Sequence, residues 1–250
     1  TTSYAASYGS ESWSGTIGAS TLTVGASGTA QTALWSTDTT LAAQFNGTGW
    51  DTSRVVVAWD KAVNKAVPFR IGSLSSGLKS ALDTTFVVGD DSSNYLNYLR
   101  GDKSNEVGAT SGTHAYRSRT APLGDIVNSK ITLSAAPKMQ YLDASNPGYA
   151  AYKAANATRT PLVLFGSNDG MLHAFSADES GGREVFAYVP GVLANRLAEI
   201  PLQRGTGIRT QVNGASYVAI GQPQTQPDGT VWAYVDGNPL SFVDPEGLRS

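Results

Sequence analysis

The chain has 250 residues, 40% of them hydrophobic, no cysteine and a formal net charge of −2. That is enough apolar material for a core, and it leaves no electrostatic case for nucleic acid or an acidic membrane surface. The lack of cysteine excludes disulfides, thiolate zinc sites and thiol nucleophiles, and no apolar run reaches the ~20 residues of a membrane-spanning helix. Only 15% of residues are charged, and glycine, serine, threonine and alanine take their place, a balance that suits a turn-rich β protein outside the cell. The chain opens on Thr1 rather than Met, so it reads as an internal piece of a longer protein.

Residues 1 to 60 carry short strand-like pieces such as Ser20–Val24 and Arg54–Trp59, separated by turn signals such as Asn46-Gly47. Trp13, Trp35, Trp50 and Trp59 recur through this segment and are expected to anchor a β-sheet core. Leu74, Leu78 and Leu82 lie at i, i+4 and i+8, and Tyr95, Leu96, Tyr98 and Leu99 precede Arg100-Gly101, so this region predicts helix ending at a glycine. A polar loop over 101–118 follows, with strands expected near Ile126 and Ile131. Residues 143–158 read as a loop and a short Ala-rich helix.

The stretch from Leu162 to Pro190 has the grammar of a β-propeller blade. An apolar strand, Leu162–Phe165, runs into the turn Asn168-Asp169-Gly170, which predicts positive φ at the turn's centre. A second strand, Met171–Phe175, and a third, Glu184–Val189, follow before Pro190. Leu193, Leu197, Ile200 and Leu202 then mark a short amphipathic helix, and a Pro/Gln-rich junction begins at Gln222. One blade cannot close a propeller. The chain alone is therefore expected to expose strand edges and to be marginally folded or oligomeric.

Four strings stand in order: Tyr98–Glu106 (YLRGDKSNE), Tyr116–Arg119 (YRSR), Leu123–Ser129 (LGDIVNS), and the blade with Gly166–Phe175 (GSNDGMLHAF) and Glu184–Pro190. Together they resemble the C-terminal region of the type IV pilus biogenesis factor and tip adhesin family, the PilC/PilY type. The resemblance implies a mainly β fold: a partial quinoprotein-like β-propeller with short helices and a β-rich N-terminal flank. It divides the chain into a flank at 1–95, the start of the propeller at 96–221, and a junction with a terminal motif at 222–250. It further implies a non-enzymatic secreted protein at the pilus tip or outer membrane surface, supporting pilus assembly, adhesion and twitching motility. Its partners would be pilus minor subunits or assembly machinery and host-cell surface receptors, with no nucleic acid. Calcium is a cofactor of that family's propeller, held by an Asp-rich loop. No loop of that form is found here; the nearest string, Asp90-Asp91-Ser92-Ser93-Asn94, lacks the alternate ligand spacing. The tail from Trp232 to Leu248 instead resembles the end of an Rhs/YD-repeat shell. The alternative readings are therefore the C-terminal part of an Rhs polymorphic toxin shell, or a non-functional recombined fragment, although no upstream YD repeats are present.

Single residues add little chemistry. Arg100-Gly101-Asp102 spells an integrin-recognition tripeptide and is a candidate recognition site, although its place beside a helix end favours a structural role. His173 alternates with apolar strand positions and His114 sits in the polar loop, neither with a ligand set beside it in sequence. Asp125 and Asp169 adjoin glycines and read as turn residues. Ser167 lacks a nucleophile elbow and a credible His partner. The sequons Asn46-Gly47-Thr48 and Asn156-Ala157-Thr158 are idle on the bacterial reading that the resemblance implies. No catalytic, cofactor-binding or metal residue is assigned.

Overall fold

A computed structural model of the chain describes residues 2–9, 14–26, 28–82, 92–110, 116–127, 129–178 and 180–197, with the backbone of 224–225 and 231–232. Strands β1 (Thr2–Gly9), β2 (Ser14–Gly25) and β3 (Gly28–Ser36) form an antiparallel sheet in that order. Its lower half alternates cleanly, burying Ile17, Ala19 and Trp35, while the half around Val24 is exposed. Helix α1 (Thr37–Gln44) follows directly, with Ser36 as its N-cap in extended conformation. A short helix, α2 (Gly49–Thr52), comes next.

The second sheet has six strands, in the spatial order Lys65–Pro68, Val56–Asp60, Glu184–Val189, Met171–Ser176, Leu162–Ser167 and Thr132–Ser134. Strands β6 (Thr132–Ser134), β7 (Leu162–Ser167), β8 (Met171–Ser176) and β9 (Glu184–Val189) form a continuous antiparallel meander. This is the four-stranded repeat of a propeller blade. The three strands read from the sequence are all present, and β6 supplies the fourth beside Ile131. No strand forms at Ile126; its side chain is buried in a core cluster instead, while its backbone runs as a connection. Strand β4 (Val56–Asp60) pairs parallel to β9 through Val56↔Ala187 and Ala58↔Val189, and β5 (Lys65–Pro68) pairs antiparallel to β4. Strands from both sides of residue 95 thus share one sheet.

Helices α3 (Ser76–Leu82) and α4 (Ser92–Arg100) carry the expected apolar stripe. Leu78, Leu82, Tyr95, Leu96, Tyr98 and Leu99 join Val56, Ala58, Ala187 and Val189 in one core cluster. A second cluster joins the two sheets through Ile17, Trp35, Leu41, Leu123, Val163, Phe165 and Phe175. The tryptophans divide. Trp35 is buried and Trp50 half-buried, but Trp59 is 38% exposed and lies over Gly191, whose absent side chain admits the Trp59 carbonyl. Trp13 and His114 fall outside the described residues.

Helix α5 (Tyr149–Ala155) matches the Ala-rich segment, and a 3₁₀ turn (Gly191–Leu193) with α6 (Ala194–Leu197) begins the amphipathic stretch after the blade. Residues 198–202, the Asp90-Asp91 pair and most of the Rhs-like tail lie outside the described residues; of that region only a pairing of β10 (Gln224–Thr225) with β11 (Val231–Trp232) is described. No described helix is long and apolar enough to cross a membrane. Strand residues outnumber helical ones, and the protein is mainly β.

Candidate functional site

The turn between β7 and β8 is a three-residue loop, with Ser167 opposite Met171. Gly170 N–H closes it onto Ser167 O at 3.1 Å, and the positive φ (81°) falls on Gly170 rather than on Asn168 or Asp169. A turn followed by one left-handed residue needs glycine only at its last position, so the expected positive φ at the turn's centre is corrected. Asp169 is then free to fold back, accepting from Met171 N at 3.1 Å and from Ser167 Oγ at 2.5 Å.

This fold-back builds a buried polar network that sequence reading missed. His173 is fully buried on β8, between Met171 of one core cluster and Phe175 of the other. Its Nδ1 lies 2.7 Å from Glu184 Oε1, and its Nε2 lies 3.0 and 3.1 Å from the two Asp169 oxygens and 3.0 Å from Ser167 Oγ. Arg54 holds the other side of Glu184, Nε to Oε2 at 2.6 Å and Nη2 to Oε1 at 3.1 Å. Two cations and two carboxylates balance, as burial of charge demands.

The surroundings explain why Glu184 can stand there. The β8–β9 register shifts between Ala174 and Phe175. Gln44 at the end of α1 takes up the Glu184 backbone, donating to its carbonyl at 3.0 Å and accepting from its N–H at 2.9 Å. Arg54 also donates Nη1 to Arg100 O at 2.7 Å, placing positive charge on the C-terminal carbonyls of α4.

Serine, histidine and glutamate in a row suggest a nucleophile, but the electrostatics oppose it. Burial pushes the His173 pKa down, yet the Asp169 carboxylate and the bonds to Asp169 and Glu184 outweigh it and raise the value to about 9. Burial likewise works against the Asp169 charge, and the imidazolium beside it still brings its pKa to about 2. Glu184 is lowered too, burial being outweighed first by Arg54. An imidazolium with both N–H groups committed cannot take a proton from Ser167. The hydroxyl donates to Asp169 instead, and Ser167 is wholly buried. The earlier expectation that His173 and Ser167 lack partners is corrected: their partners are distant in sequence, and the cluster is a charge-balanced staple. It does not suit calcium, which needs six to eight oxygens and no neighbouring guanidinium. Among the described residues no group of three or more His, Asp or Glu could hold a metal.

The tripeptide Arg100-Gly101-Asp102 forms the C-cap of α4. Gly101 N–H bonds Tyr98 O and Asp102 N–H bonds Asn97 O, both at 2.9 Å, with Gly101 at φ +121°. This pair of bonds is the Schellman motif. Arg100 is 1% exposed, bonded to Asp51 Oδ1 at 2.9 Å and to the carbonyls of Phe69, Trp50 and Asp51. Burial first, then the nearby Arg70, lower its pKa to about 10, with Asp51 opposing. Asp102 caps Ser104, accepting from its N–H at 2.9 Å and its Oγ at 3.0 Å. Gly101 and Asp102 line an open groove of about 690 Å³ with Phe45, Trp50 and Asp38.

The loop after the cap is less free than its composition implies. Arg119 reaches back to Glu106 Oε1 at 2.7 Å, Tyr98 O at 2.8 Å and Asp102 O at 2.9 Å, and stacks 3.7 Å from the Tyr98 ring centre. Glu106 and Tyr116 are buried, and Lys103, Ser104, Val107 and Gly108 stay exposed. A further contact joins the two sheets at Gly124. Its carbonyl would stand 2.3 Å from a Cβ at Gly15, and its own Cβ would stand 2.5 Å from Asp169 N.

The family model described as "PilY1 beta-propeller domain" matches residues 123–201. The "Type IV pilus biogenesis factor PilY1" of Pseudomonas aeruginosa strain PAK is 31% identical over 227 residues, covering 86% of this chain and 19% of the relative. Two "Type IV pilus biogenesis factor PilY1 homolog" proteins of Xylella fastidiosa strain Temecula1 are 38% identical over 146 residues and 45% over 109, covering 57% and 39% of this chain and 11% and 7% of theirs. The chain thus spans at most about a fifth of the length of these relatives. No solved structure matches it. A four-stranded blade, the ordered strings around it and these similarities agree: the chain belongs to the type IV pilus PilY1 family, and its residues 123–201 match that family's β-propeller domain.

Proposed function

We propose that this chain is a non-enzymatic part of the type IV pilus system at the cell surface, contributing to pilus assembly, adhesion and twitching motility through contacts with minor pilus subunits or assembly machinery and with host-cell receptors. The observation that carries the reading is the 227-residue similarity to a named pilus biogenesis factor, which covers 86% of this chain. The buried ion network supports a structural rather than a chemical use of the one cluster that resembles a catalytic site, because its histidine is already protonated and its serine already donates. Calcium belongs to this reading only through the wider family.

The test is a chimera. The matching segment of Pseudomonas aeruginosa PilY1 is replaced by this chain's, and surface pili, twitching zones and attachment to epithelial cells are measured in a strain lacking its own copy. Restored pili and twitching support the reading. A chimera that is exported in normal amount, yet leaves the strain without pili, overturns it.

A further inference from the structure

A small cavity lies where the segment ending in Leu123-Gly124-Asp125 meets the blade turn. It offers about 20 Å³ and is lined by Arg117, Arg119, Asp125, Asn168 and Asp169 among others. Two buried atoms of these lining residues find no hydrogen-bond partner among the described residues: Arg117 Nε, a donor, and Asn168 Oδ1, an acceptor. The amide orientation is set by its other end. Asn168 Nδ2 donates to Asp125 Oδ2 at 3.0 Å, and Asn168 N–H donates to Asp125 O at 3.0 Å, which leaves Oδ1 needing a donor. Asn168 is only 9% exposed, so bulk solvent does not meet that need freely.

We infer that this cavity is the site of one structural water, accepting from Arg117 Nε–H and donating to Asn168 Oδ1. The size fits, since a single water needs roughly 10–15 Å³ of such space. The chemistry selects water over ions. Two guanidinium groups oppose a cation, and two carboxylates with an amide oxygen oppose an anion. Water fits a space of this size and satisfies a lone donor and a lone acceptor together. In that position it ties the YRSR segment to the Asn168-Asp169-Gly170 turn, joining two of the four strings that carry the resemblance.

The test is a crystal structure of the whole chain at a resolution that shows ordered solvent, with water-exchange NMR on the same protein. A single solvent peak about 2.7–3.2 Å from both atoms, with a slowly exchanging water cross-peak to Arg117 Hε, is the expected result. Side chains paired with other protein groups around an empty cavity would overturn the inference. So would density with metal-like contacts to Asp125 or Asp169. The Arg117→Lys variant keeps the charge and removes Nε–H. With an unchanged far-UV spectrum it should lose the ordered water, and retention of the same peak would also count against the bridge.

Discussion

Replacing Glu184 by glutamine removes one charge and almost no volume, so it isolates the ionic network from packing. Glu184 meets two cations, Arg54 at 2.6 and 3.1 Å and His173 at 2.7 Å, and all three side chains are buried. A glutamine oxygen can still accept from one partner, but its NH₂ group then faces the N–H of the other. Asp169 continues to serve His173, so the uncompensated group is Arg54. Breaking a buried pair in this way costs about 3–5 kcal/mol, against a typical total of about 5–15 kcal/mol for a domain. At roughly 2–4 °C per kcal/mol for a chain of this size, the melting temperature should fall by about 6–20 °C. The assay is urea denaturation of wild type and Glu184→Gln, followed by tryptophan fluorescence and far-UV circular dichroism at neutral pH. A loss below about 1 kcal/mol, in the range of an exposed ion pair, would refute the claim that this network holds the blade to the core.

Further predictions rest on the same geometry. The folded His173 pKa of about 9 lies above its ordinary 6.5, so its contribution is complete below pH 6.5 and fades as pH rises through 9; urea midpoints from pH 6 to 9.5 should register a loss of about 3 kcal/mol, and a flat profile would contradict the imidazolium. Gly124→Ala forces a Cβ to within 2.5 Å of Asp169 N, so the blade turn must shift, and a thermal melt should show a loss on the order of 1–3 kcal/mol; an unchanged melt would mean the sheets are not in that contact. Gly101→Ala meets both positive φ and the Phe45 and Trp50 side chains at 3.2 Å, and should cost on the order of 1–3 kcal/mol by the same measurement. Asp102→Glu should leave attachment to integrin-bearing cells unaltered, because Arg100 is committed inside the protein; reduced attachment would show that the tripeptide is presented after all.

The parts legible in the sequence were those set by local periodicity. Leu78, Leu82, Tyr95 and Leu99 fall on one face of their helices because 3.6 residues make a turn, and Gly101 ends α4 because it accepts positive φ. The blade strands announced themselves through β-branched and aromatic runs between turns. The ionic network did not, because its members sit at 54, 167, 169, 173 and 184 and meet only through strand register. One signal was available: His173 occupies the same strand face as Met171 and Phe175, an inward position where a histidine demands partners. Which residue would answer was set by the β8–β9 shift that brings Glu184 inward, and by a parallel pairing that brings β4 to β9. The tryptophan spacing misled at Trp59, where an exposed aromatic covers a glycine instead of filling a core.

The parallel contact between β4 and β9 also sets an order of events during folding. Arg54 and Glu184 are separated by 130 residues, and no short hairpin can bring their strands together. The meander from β6 to β9 can form locally, but the sheet that carries it is completed only when a distant, earlier-made strand docks on its outer edge. Until then β4 and β9 each present an open row of backbone donors and acceptors, and the charges of Arg54 and Glu184 lack each other. The slowest step of folding should therefore be this docking, and a chain crossing into a new compartment would be most exposed to misassociation just before it.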